Sequence, residues 1–522
     1  MSELPPALPR ISDYAAWHAA RTPDAEALKL DRRVWCYAEL AAAIDRLARA
    51  LLAAGVGKGD RVATLQPPHP DYLIDFLATA SIGAIWVGLN PRYRIEELTH
   101  VLTDAEPKIL LARRHIGERC YDAELAALAG ACPSLRRIVV QDSADGPAGT
   151  ESIADFLKTG GGIPAASLDA ARARCGGRDP CLIVYTSGST GAPKGALLHH
   201  EGLVLFSLAQ NRLWPLDPLR VINYFPINHV GCVADCSLPC LVAGGTTIFM
   251  EKFDPAECLA LMARERVTLW GSVPSTFPMI LDLPDFAAHD LSAVALIVWG
   301  GAAMGVEVIA RLAMLGAPLA TNYGMTETTS AITAIAPTRD REILAGSVGT
   351  AFPGVEVRLC GDNDLPVCAG EVGEVQARSA LNFLGYWRRA EASAEAFTRD
   401  GYFRTGDLAM QRPDGRYRIV GRIKEMYKSG GYNVYPREVE AVLEAHPSVD
   451  AAAVVAIPDP VWQEVGVAFV TLSGDAEPEE LERFCRDRLA NYKLPKRIEI
   501  LPELPTLPIG KIDKAALRRR LE

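Results

Sequence analysis

The sequence predicts an α/β fold with a large N-terminal domain and a small α+β C-terminal domain. At 522 residues the chain exceeds what one hydrophobic core normally holds, so two or more domains are expected. Strand-length apolar runs alternate with helical patterns up to about residue 315, which is typical of parallel-rich sheets with covering helices. Residues 347–419 change to short strands and turns, which predicts a β-rich subdomain. We therefore expect domains at 1–421 and 422–522.

Hydrophobic periodicity and turn residues place the individual elements of the N-terminal part. Residues 10–60 predict two helices around a short strand, with the second helix over 37–54 ending at Gly55. Residues 143–180 are rich in Gly, Ala, Ser and Asp, which predicts a loop with at most a short helix. Further strands are predicted at 61–65, 84–88, 221–225, 246–250, 267–273 and 294–299, and helices at 72–82, 254–266, 274–281 and 305–315.

The last third of the chain carries clear turn and helix-start signals. The Asp414-Gly415 pair predicts a β-hairpin. Beyond it, helices are expected to begin at Pro436 and Pro478, because proline favours the first turn of a helix. Strands are predicted at 451–457 and 465–472.

Composition and charge exclude several function classes. A net charge of −10 argues against general affinity for nucleic acid or anionic lipid. The start of the chain lacks a basic segment followed by an apolar core, and the longest apolar run, at 76–89, is too short to span a bilayer. Twelve scattered cysteines suit a reducing compartment. We expect a cytoplasmic protein without a membrane span or a nucleic-acid partner.

Three cysteines recur every fourth residue and allow two interpretations. Cys232, Cys236 and Cys240 follow closely after His229, which admits a metal cluster. Structural zinc sites usually use closer cysteine pairs. The spacing favours the buried face of a helix that carries small apolar thiols and is broken at Pro239.

The stretch 181–195, CLIVYTSGSTGAPKG, predicts a phosphate-binding loop that leaves a strand. Residues 181–186 form an apolar, β-branched run of strand length, whereas 187–195 contains only small, hydroxylic, Gly, Pro or Lys residues. Such a loop presents backbone N–H groups, hydroxyls and one ammonium, which suits a polyphosphate. A Gly/Ser surface linker is the alternative, but the abutting strand and the lysine make it the weaker one. A Walker-type P-loop does not fit, because Gly195 follows Lys194 where a Ser or Thr is required.

The segment YTSGSTGAPKG at 185–195 resembles the phosphate-loop signature of the adenylate-forming superfamily. That superfamily contains acyl-CoA synthetases, aryl-CoA ligases, luciferases and nonribosomal adenylation domains. The resemblance covers the chain from about residue 37 to 517 and implies a mobile C-terminal domain. It implies these nucleotide-binding residues in the loop: Thr186, Ser187, Gly188, Ser189, Thr190, Gly191 and Lys194.

The motif NYGMTE at 322–327 fits the adenine and metal site of the same superfamily. Tyr323 offers a flat face for adenine, Thr326 a hydroxyl for phosphate, and Glu327 a hard oxygen ligand for Mg²⁺. Without the resemblance, each would more often be an exposed residue of a polar turn. The resemblance adds Asn322 and Gly324 to the nucleotide-binding set.

Two later motifs complete the expected ribose site and hinge. Asp407, in RTGD, suits both ribose hydroxyls, although a β-turn aspartate bonding its own backbone is the plainer alternative. GRIKE at 421–425 resembles the interdomain hinge. The resemblance implies that Arg422 reaches ribose and phosphate and that Lys424 is the pivot, where many relatives carry Asp.

The C-terminal domain is expected to serve both half-reactions. Ser429, Gly430 and Gly431 resemble the segment that borders the pantetheine tunnel, so CoA would bind there. A flexible turn is the alternative. The resemblance implies that Lys511, in PIGKI, neutralises charge as the carboxylate attacks the α-phosphate, although an isolated surface lysine is normally just solvated.

The expected acyl pocket lies on three separate segments. The resemblance places His229, Val230, Gly231, Gly301 and Gly324 around it, and Ala302 in the nucleotide site. His229 would orient substrate at the pocket mouth, and the glycines would leave room for an acid larger than acetate. Core packing is the favoured role for three large side chains that could also line the pocket, Trp270, Phe277 and Met304.

These patterns together predict an ATP-dependent carboxylic acid:CoA ligase that uses Mg²⁺. The implied catalytic set is Lys511, Glu327, His229 and Thr186. The runner-up is a stand-alone adenylation enzyme that transfers the acyl group to a carrier-protein thiol. An oxygenating luciferase and a catalytically dead nucleotide-binding regulator are further alternatives. The sequence leaves open the acid (aryl, short-chain or medium-chain) and the oligomeric state, including a homodimer.

Overall fold

A computed structural model of the chain describes residues 4–186, 193–506 and 512–521. It confirms the mixed α/β class, with parallel-rich sheets in the N-terminal part. Over these residues, the strands of a nine-stranded sheet are, in spatial order, Thr350–Ala351, Thr333–Ala334, Leu319–Tyr323, Leu296–Trp299, Leu269–Ser272, Arg220–Asn223, Thr246–Phe249, Glu26–Leu30 and Arg33–Cys36. The strands of a seven-stranded sheet are, in spatial order, Lys194–His199, Pro180–Thr186, Ile85–Leu89, Arg61–Leu65, Ile109–Ala112, Arg137–Val140 and Thr150–Ser152. His115–Ile116 and Arg119–Cys120 form a small hairpin.

Helices cover both large sheets. Their bounds are Asp13–Ala19, Tyr37–Ala53, Pro70–Ser81, Ile95–Ala105, Asp122–Ala131, Ile153–Thr159, Ala165–Arg172, His200–Leu213, Leu238–Ala243, Pro255–Arg264, Thr276–Leu281, Val306–Ala313, Arg341–Leu344, Ala390–Glu395, Pro436–Leu443, Pro478–Arg486 and Lys514–Arg519. Short 3₁₀ turns include Gly160–Gly162, Phe286–Ala288, Thr326–Thr328 and Asn491–Lys493. Of the helices in the described residues, none has the length and apolar character needed to cross a bilayer.

The predicted strand before the phosphate loop is an interior strand of the seven-stranded sheet. Pro180–Thr186 pairs in parallel with Ile85–Leu89, and its residues 181–185 are buried. The loop was predicted to run through Gly195, but the returning strand already begins at Lys194, which pairs with Thr186. Gly195 has to be small there, because an added Cβ would lie 2.6 Å from Ile183 Cγ2. The two strands that flank the loop therefore form an antiparallel pair.

The nine-stranded sheet brings the predicted site segments to one edge. Arg220–Asn223, Leu269–Ser272, Leu296–Trp299 and Leu319–Tyr323 are mutually parallel neighbours. In such sheets ligands bind outside the carboxyl ends of the strands. The segments that carry His229, Gly301 and Tyr323 all leave or end strands at this edge.

The predicted β-rich subdomain is a four-stranded antiparallel sheet. Its strands, in order, are Val355–Cys360, Val372–Ser379, Phe403–Gln411 and Tyr417–Arg422. The hairpin predicted from Asp414-Gly415 is confirmed, and Gly415 has a φ of 81°. The register of the last two strands sets Asp407 opposite Arg422.

The C-terminal region has the predicted helix starts and its own apolar clusters. The strands Val449–Asp459 and Gln463–Leu472 form a long antiparallel pair, flanked by Tyr427–Ser429, Tyr432–Val434 and Arg497–Ile500. Both faces of this pair are covered by buried side chains. One cluster includes Val439, Leu443 and Leu481, and the other includes Phe469 and Leu517.

Two local predictions were wrong. Residues 143–180 contain a short strand and two helices instead of a loop, because Phe156 and Leu168 provide buried anchors among the small residues. Both helices pack against the helix Tyr37–Ala53. The single strand expected between the first two helices is a hairpin, Glu26–Leu30 with Arg33–Cys36, that turns at Asp31 with a φ of 52°.

Cys232, Cys236 and Cys240 lie on the buried face of a helix, which is the interpretation that their spacing favours. Cys232 and Cys236 lie on a π-helix over Gly231–Ser237, and Cys240 lies on the α-helix that continues to Ala243. All three thiols are buried, and burial raises their pKa. Pro239 does not break the helix as expected, because it occupies the first turn of the α-helical part, where no N–H is required. Within the part of the chain that the structure describes, no group of three or more His, Cys, Asp or Glu residues is placed to hold a metal ion.

Candidate active site

Three predicted nucleotide-site residues meet where the nine-stranded sheet contacts the β-rich subdomain. The Tyr323 hydroxyl donates to Asp407 Oδ2 at 2.8 Å, and Arg422 Nε lies 2.9 Å from Asp407 Oδ1. Asp407 is buried, whereas Arg422 keeps a side-chain exposure of 57%. The carboxylate raises the pKa of Arg422, so this guanidinium remains charged. Its exposed N–H groups can therefore bind an anion.

Glu327 lies close to this cluster as a buried carboxylate. Its 3₁₀ turn, Thr326–Thr328, directly follows the strand that ends at Tyr323. Oε1 accepts a hydrogen bond from the Tyr386 hydroxyl at 2.9 Å. Burial raises the pKa of Glu327, and the charges of Arg422 and Asp407 act on it in opposite directions. Glu327 and Asp407 thus share one electrostatic environment.

Tyr386 connects this carboxylate to the phosphate-loop hairpin. Lys194 Nζ lies 5.4 Å from the centroid of the Tyr386 ring, within the range of a cation–π interaction. Thr186 Oγ1 donates to the backbone oxygen of Lys194 at 3.4 Å, across the base of the hairpin. The other predicted loop residues lie outside the described residues, as does Lys511; they are Ser187, Gly188, Ser189, Thr190 and Gly191.

The segment 382–387 joins the hairpin to the Glu327 turn, and the sequence did not indicate this role. Phe383 N donates to Glu327 O at 2.8 Å, and Leu197 N donates to Gly385 O at 3.0 Å. Trp387 N donates to Gly195 O at 2.7 Å. Tyr386 was missed because FLGYW has the composition of an ordinary apolar loop. Only the backbone pairing shows that it holds both sides of the site.

Gly300 and Asn322 show that the two predicted motifs at the sheet edge touch. An added Cβ on Gly300 would lie 2.6 Å from Asn322 Oδ1, so a larger residue there would displace the Asn322 side chain. Gly301 has a φ of 83°, and the predicted nucleotide-site residue Ala302 is exposed beside it. The turn at 300–302 and the motif at 322–327 therefore form adjacent walls.

In the His229 segment, the surroundings of Gly231 differ from the expectation. Gly231 was expected to widen the acyl pocket, but its Cβ position lies 3.0 Å from His229 Nδ1. That nitrogen accepts a hydrogen bond from Gly231 N at 3.0 Å. The space is thus taken by the imidazole, which is half-buried. Val230 points into the hydrophobic core, with an exposure of 4%.

The large side chains near the predicted pocket belong to the core, as favoured from the sequence. Trp270 and Phe277 are buried, with their ring centroids 5.1 Å apart. Met304 is 9% exposed and lies in the same cluster.

The predicted hinge is an exposed turn at the end of the β-rich sheet. Met426 N donates to Arg422 O at 3.0 Å, and Lys424 lies exposed within this turn. Lys514 Nζ pairs with Glu425 at 2.7 Å and with Glu440 at 2.8 Å. The hinge turn is therefore anchored to the C-terminal region through Glu425.

The predicted CoA segment forms a tight turn between short strands. Gly430 and Gly431 have φ values of 58° and 85°, which favour glycine, and Ser429 before them is buried. Gly430 N donates to Trp462 O at 2.8 Å. The Trp462 ring fills the position that a Cβ on Gly430 would take, at 2.7 Å. Gly431, in contrast, has open space beside it.

Comparison with known families matches both parts of the chain. The model of the AMP-binding enzyme family matches residues 15–387. The chain belongs to this family. The model of the AMP-binding enzyme C-terminal domain matches residues 438–511. The resemblance of the phosphate loop to adenylate-forming enzymes is thereby confirmed.

Relatives of this AMP-binding enzyme are CoA ligases over their full length. A feruloyl-CoA synthase of an Amycolatopsis species is 38% identical, covering 98% of this chain and 99% of that protein. An indoleacetate–CoA ligase of Aromatoleum aromaticum is 33% identical, covering 98% of each chain. The crystal structure of ATP-bound MatB from Rhodopseudomonas palustris is 30% identical, with a TM-score of 0.85 and 98% coverage of both chains. The chain is an AMP-forming acyl-CoA synthetase.

Gly324 is the residue of this synthetase whose substitution should distort the site most directly. An added Cβ would lie 1.5 Å from Ser330 O and 2.8 Å from Ala331 Cα, both backbone atoms. Gly324→Ala is therefore expected to destabilise the fold by about 2–3 kcal/mol, because the turn that carries Glu327 must move. Urea unfolding checks this. Gly305→Ala is the control, since nothing lies within 4 Å of its Cβ and its φ is −62°; an equal loss in both variants would contradict the geometry.

Proposed function

We propose that this synthetase activates a carboxylic acid that carries an aromatic ring, and transfers it to CoA. The carboxylate oxygen attacks the α-phosphate of ATP, so that an acyl-adenylate forms and pyrophosphate leaves. The CoA sulfur then attacks the acyl carbonyl, the thioester forms, and AMP leaves with the bonding electrons. The aromatic class is supported by the relatives named for ferulate and indoleacetate, at 38% and 33% identity, against 32% for fatty-acid–CoA ligases.

The proposed residue roles rest on Asp407, because both of its carboxylate oxygens have side-chain partners. Tyr323 donates to one carboxylate oxygen and Arg422 pairs with the other, which fixes the orientation of the carboxylate. A fixed, buried carboxylate suits the two adjacent hydroxyls of a ribose. The exposed part of Arg422 then faces the phosphates, and the edge at Gly300, Gly301 and Ala302 is open to the adenine.

Glu327 and Lys194 are assigned to the charged end of the nucleotide. The buried Glu327 carboxylate, whose Oε1 accepts from the Tyr386 hydroxyl, fits the oxygen-ligand preference of Mg²⁺, which would supply positive charge against the phosphates. Lys194 lies on the other side of Tyr386 and adds a positive charge from the hairpin. Thr186 and Thr326 supply hydroxyls, and His229 orients the acid at the pocket mouth.

We assign the second half-reaction to a movement of a C-terminal domain comprising residues 422–522. In this scheme Lys424 is the pivot, Lys511 serves adenylation, and rotation then brings Ser429, Gly430 and Gly431 to the site. The exposed turn at Lys424 and the open side of Gly431 support these roles. The reaction belongs in the cytoplasm, where ATP and CoA are available.

Product analysis with a panel of carboxylic acids tests the function. Pyrophosphate release must depend on an added acid, and AMP release must depend on CoA. Release of orthophosphate without acid would contradict adenylation. A thioester on a carrier protein but none on CoA would favour transfer to a carrier, and light emission would favour an oxygenase.

The pH dependence of the first half-reaction follows from Glu327. Burial raises its pKa above the ordinary 4.5, so its protonated form appears at a higher pH than for an exposed glutamate. Metal binding requires the ionised form. The apparent Mg²⁺ affinity, measured by pyrophosphate release, should therefore weaken as the pH falls from neutral toward 4.5. An affinity that is constant across this range would contradict the assignment.

A further inference from the structure

One face of the helix Ile95–Ala105 contacts both chain segments that flank the phosphate loop. Asp104 Oδ2 accepts a hydrogen bond from the Tyr185 hydroxyl at 2.7 Å, on the strand before the loop. His100 Nε2 lies 3.4 Å from the backbone oxygen of Pro193, directly before the returning strand. His100 and Asp104 are four residues apart and therefore share a helix face. The helix thus meets the chain on both sides of the loop.

Asp104 also holds the segment that follows Tyr386. Arg389 Nη2 lies 2.6 Å from Asp104 Oδ1, and Trp387 Nε1 donates to Asp104 O at 3.1 Å. The backbone N–H of Trp387 in turn donates to Gly195 O at 2.7 Å, on the strand that returns from the loop. Asp104 therefore joins the strand before the loop to the segment that carries Tyr386.

The link between Asp104 and Tyr185 is largely shielded from water. The Asp104 side chain is 11% exposed, and Tyr185 is buried. Burial, together with the hydrogen bond to Asp104, raises the pKa of the Tyr185 hydroxyl, so that it stays protonated and remains a donor. Removing the acceptor would leave this buried hydroxyl unsatisfied, at a cost of about 1–3 kcal/mol. The link is therefore costly to break.

We infer that Asp104 is a positioning residue for the adenylation half-reaction, and that it acts on the start of the phosphate loop through Tyr185. Successive side chains of a strand point to opposite faces. The bond that fixes Tyr185 on the helix side therefore also sets the orientation of Thr186, the next residue, toward the site.

The second path runs from Asp104 to the proposed metal ligand. Its contacts with Trp387 and Arg389 set the position of Tyr386, whose hydroxyl donates to Glu327. Asp104 thus keeps the phosphate loop and the Glu327 carboxylate at one spacing, so that both can act on the same triphosphate.

The expected effect of Asp104 is confined to one half-reaction. This inference rests on the proposed function, because it concerns the step in which ATP is cleaved. The β- and γ-phosphates are present only in that step, since pyrophosphate has left before CoA attacks. A misplacement of about 1 Å caused by a change remote from the chemistry can cost about a hundredfold in rate. Loss of Asp104 should therefore slow adenylation and leave thioester formation almost unchanged, whereas a general loss of folded enzyme would lower both.

Separate assays of the two half-reactions test the inference. Asp104→Ala should lower the kcat/KM for ATP in acid-dependent pyrophosphate release by at least about tenfold, while thioester formation from supplied acyl-adenylate and CoA stays within a few-fold of wild type. Asp290→Asn, at an aspartate with a side-chain exposure of 69%, is the control and should keep both rates. An equal loss in both half-reactions, or an unchanged adenylation rate, overturns the inference while the proposed function stands. If the wild-type enzyme releases no pyrophosphate with any acid, the proposed function fails, and the inference with it.

Tyr185→Phe tests the path from Asp104 and also serves if Asp104→Ala does not fold. It removes only the hydroxyl and leaves the pair with Arg389, so adenylation should fall selectively, but less than in Asp104→Ala. The double variant should lose less than the product of the two single losses, because both changes remove the same hydrogen bond. Losses that multiply, or a Tyr185→Phe variant with an unaltered adenylation rate, overturn the inference.

Discussion

Lys511→Ala is expected to slow acyl-adenylate formation by about 10²–10³-fold, while thioester formation from supplied acyl-adenylate and CoA stays within a few-fold of wild type. Removing one preorganised group that stabilises developing charge typically costs this much in rate. The lysine is expected to act only in the first half-reaction, because in the proposed scheme the rotation of the C-terminal domain withdraws it from the site before CoA attacks. Pyrophosphate release measures the first step, and thioester formation from synthetic acyl-adenylate measures the second.

The test of Lys511 is whether Lys511→Ala lowers the rate of the first half-reaction much more than the rate of the second. Lys158→Ala is a suitable control, since that lysine has a side-chain exposure of 76% and pairs only within its own helix. It should leave both rates unchanged. An equal loss in both half-reactions of Lys511→Ala would show that the lysine serves folding or general binding and not adenylation.

Glu327→Gln is expected to lower the rate of adenylation by about a hundredfold or more and to raise the Mg²⁺ concentration needed for half-maximal rate. A bound metal supplies several kcal/mol of charge stabilisation, and each 1.36 kcal/mol is about tenfold in rate. The substitution keeps the shape of the side chain but removes its charge. Because burial raises the pKa of Glu327, the neutral amide should not lower the melting temperature of the free protein.

Tyr386→Phe is the matched control for Glu327. It removes the hydroxyl that donates to Oε1 but leaves the carboxylate and the aromatic ring near Lys194. One such hydrogen bond contributes about 1 kcal/mol, so the rate should fall less than about tenfold. If the tyrosine variant loses as much activity as Glu327→Gln, or if the Mg²⁺ requirement of the latter is unchanged, the carboxylate is structural.

The fold and the outline of the site were predictable because they depend on local patterns. The alternation of strands and helices, the hairpin at Asp414-Gly415 and the helix starts at Pro436 and Pro478 follow from periodicity and turn chemistry, and the structure contains all of them. The motifs around Tyr323 and Asp407 were recognisable from their residue types. Their meeting through one hydrogen bond could be expected only from the family resemblance.

The remainder depended on contacts between residues distant in sequence. Tyr386 gains its role from backbone pairing with the hairpin, and nothing in its own segment indicates this. The glycine at 231 was expected to create space, but a neighbouring imidazole fills it. Tertiary context decided each case.

The most direct test is a crystal structure of the chain with a non-hydrolysable acyl-adenylate analogue. The account predicts that both ribose hydroxyls lie within about 3 Å of the Asp407 carboxylate, with the adenine beside Tyr323 and the phosphate on the side of Glu327 and Lys194. A nucleotide bound elsewhere, or bound so that Asp407 and Glu327 face different cavities, would contradict it.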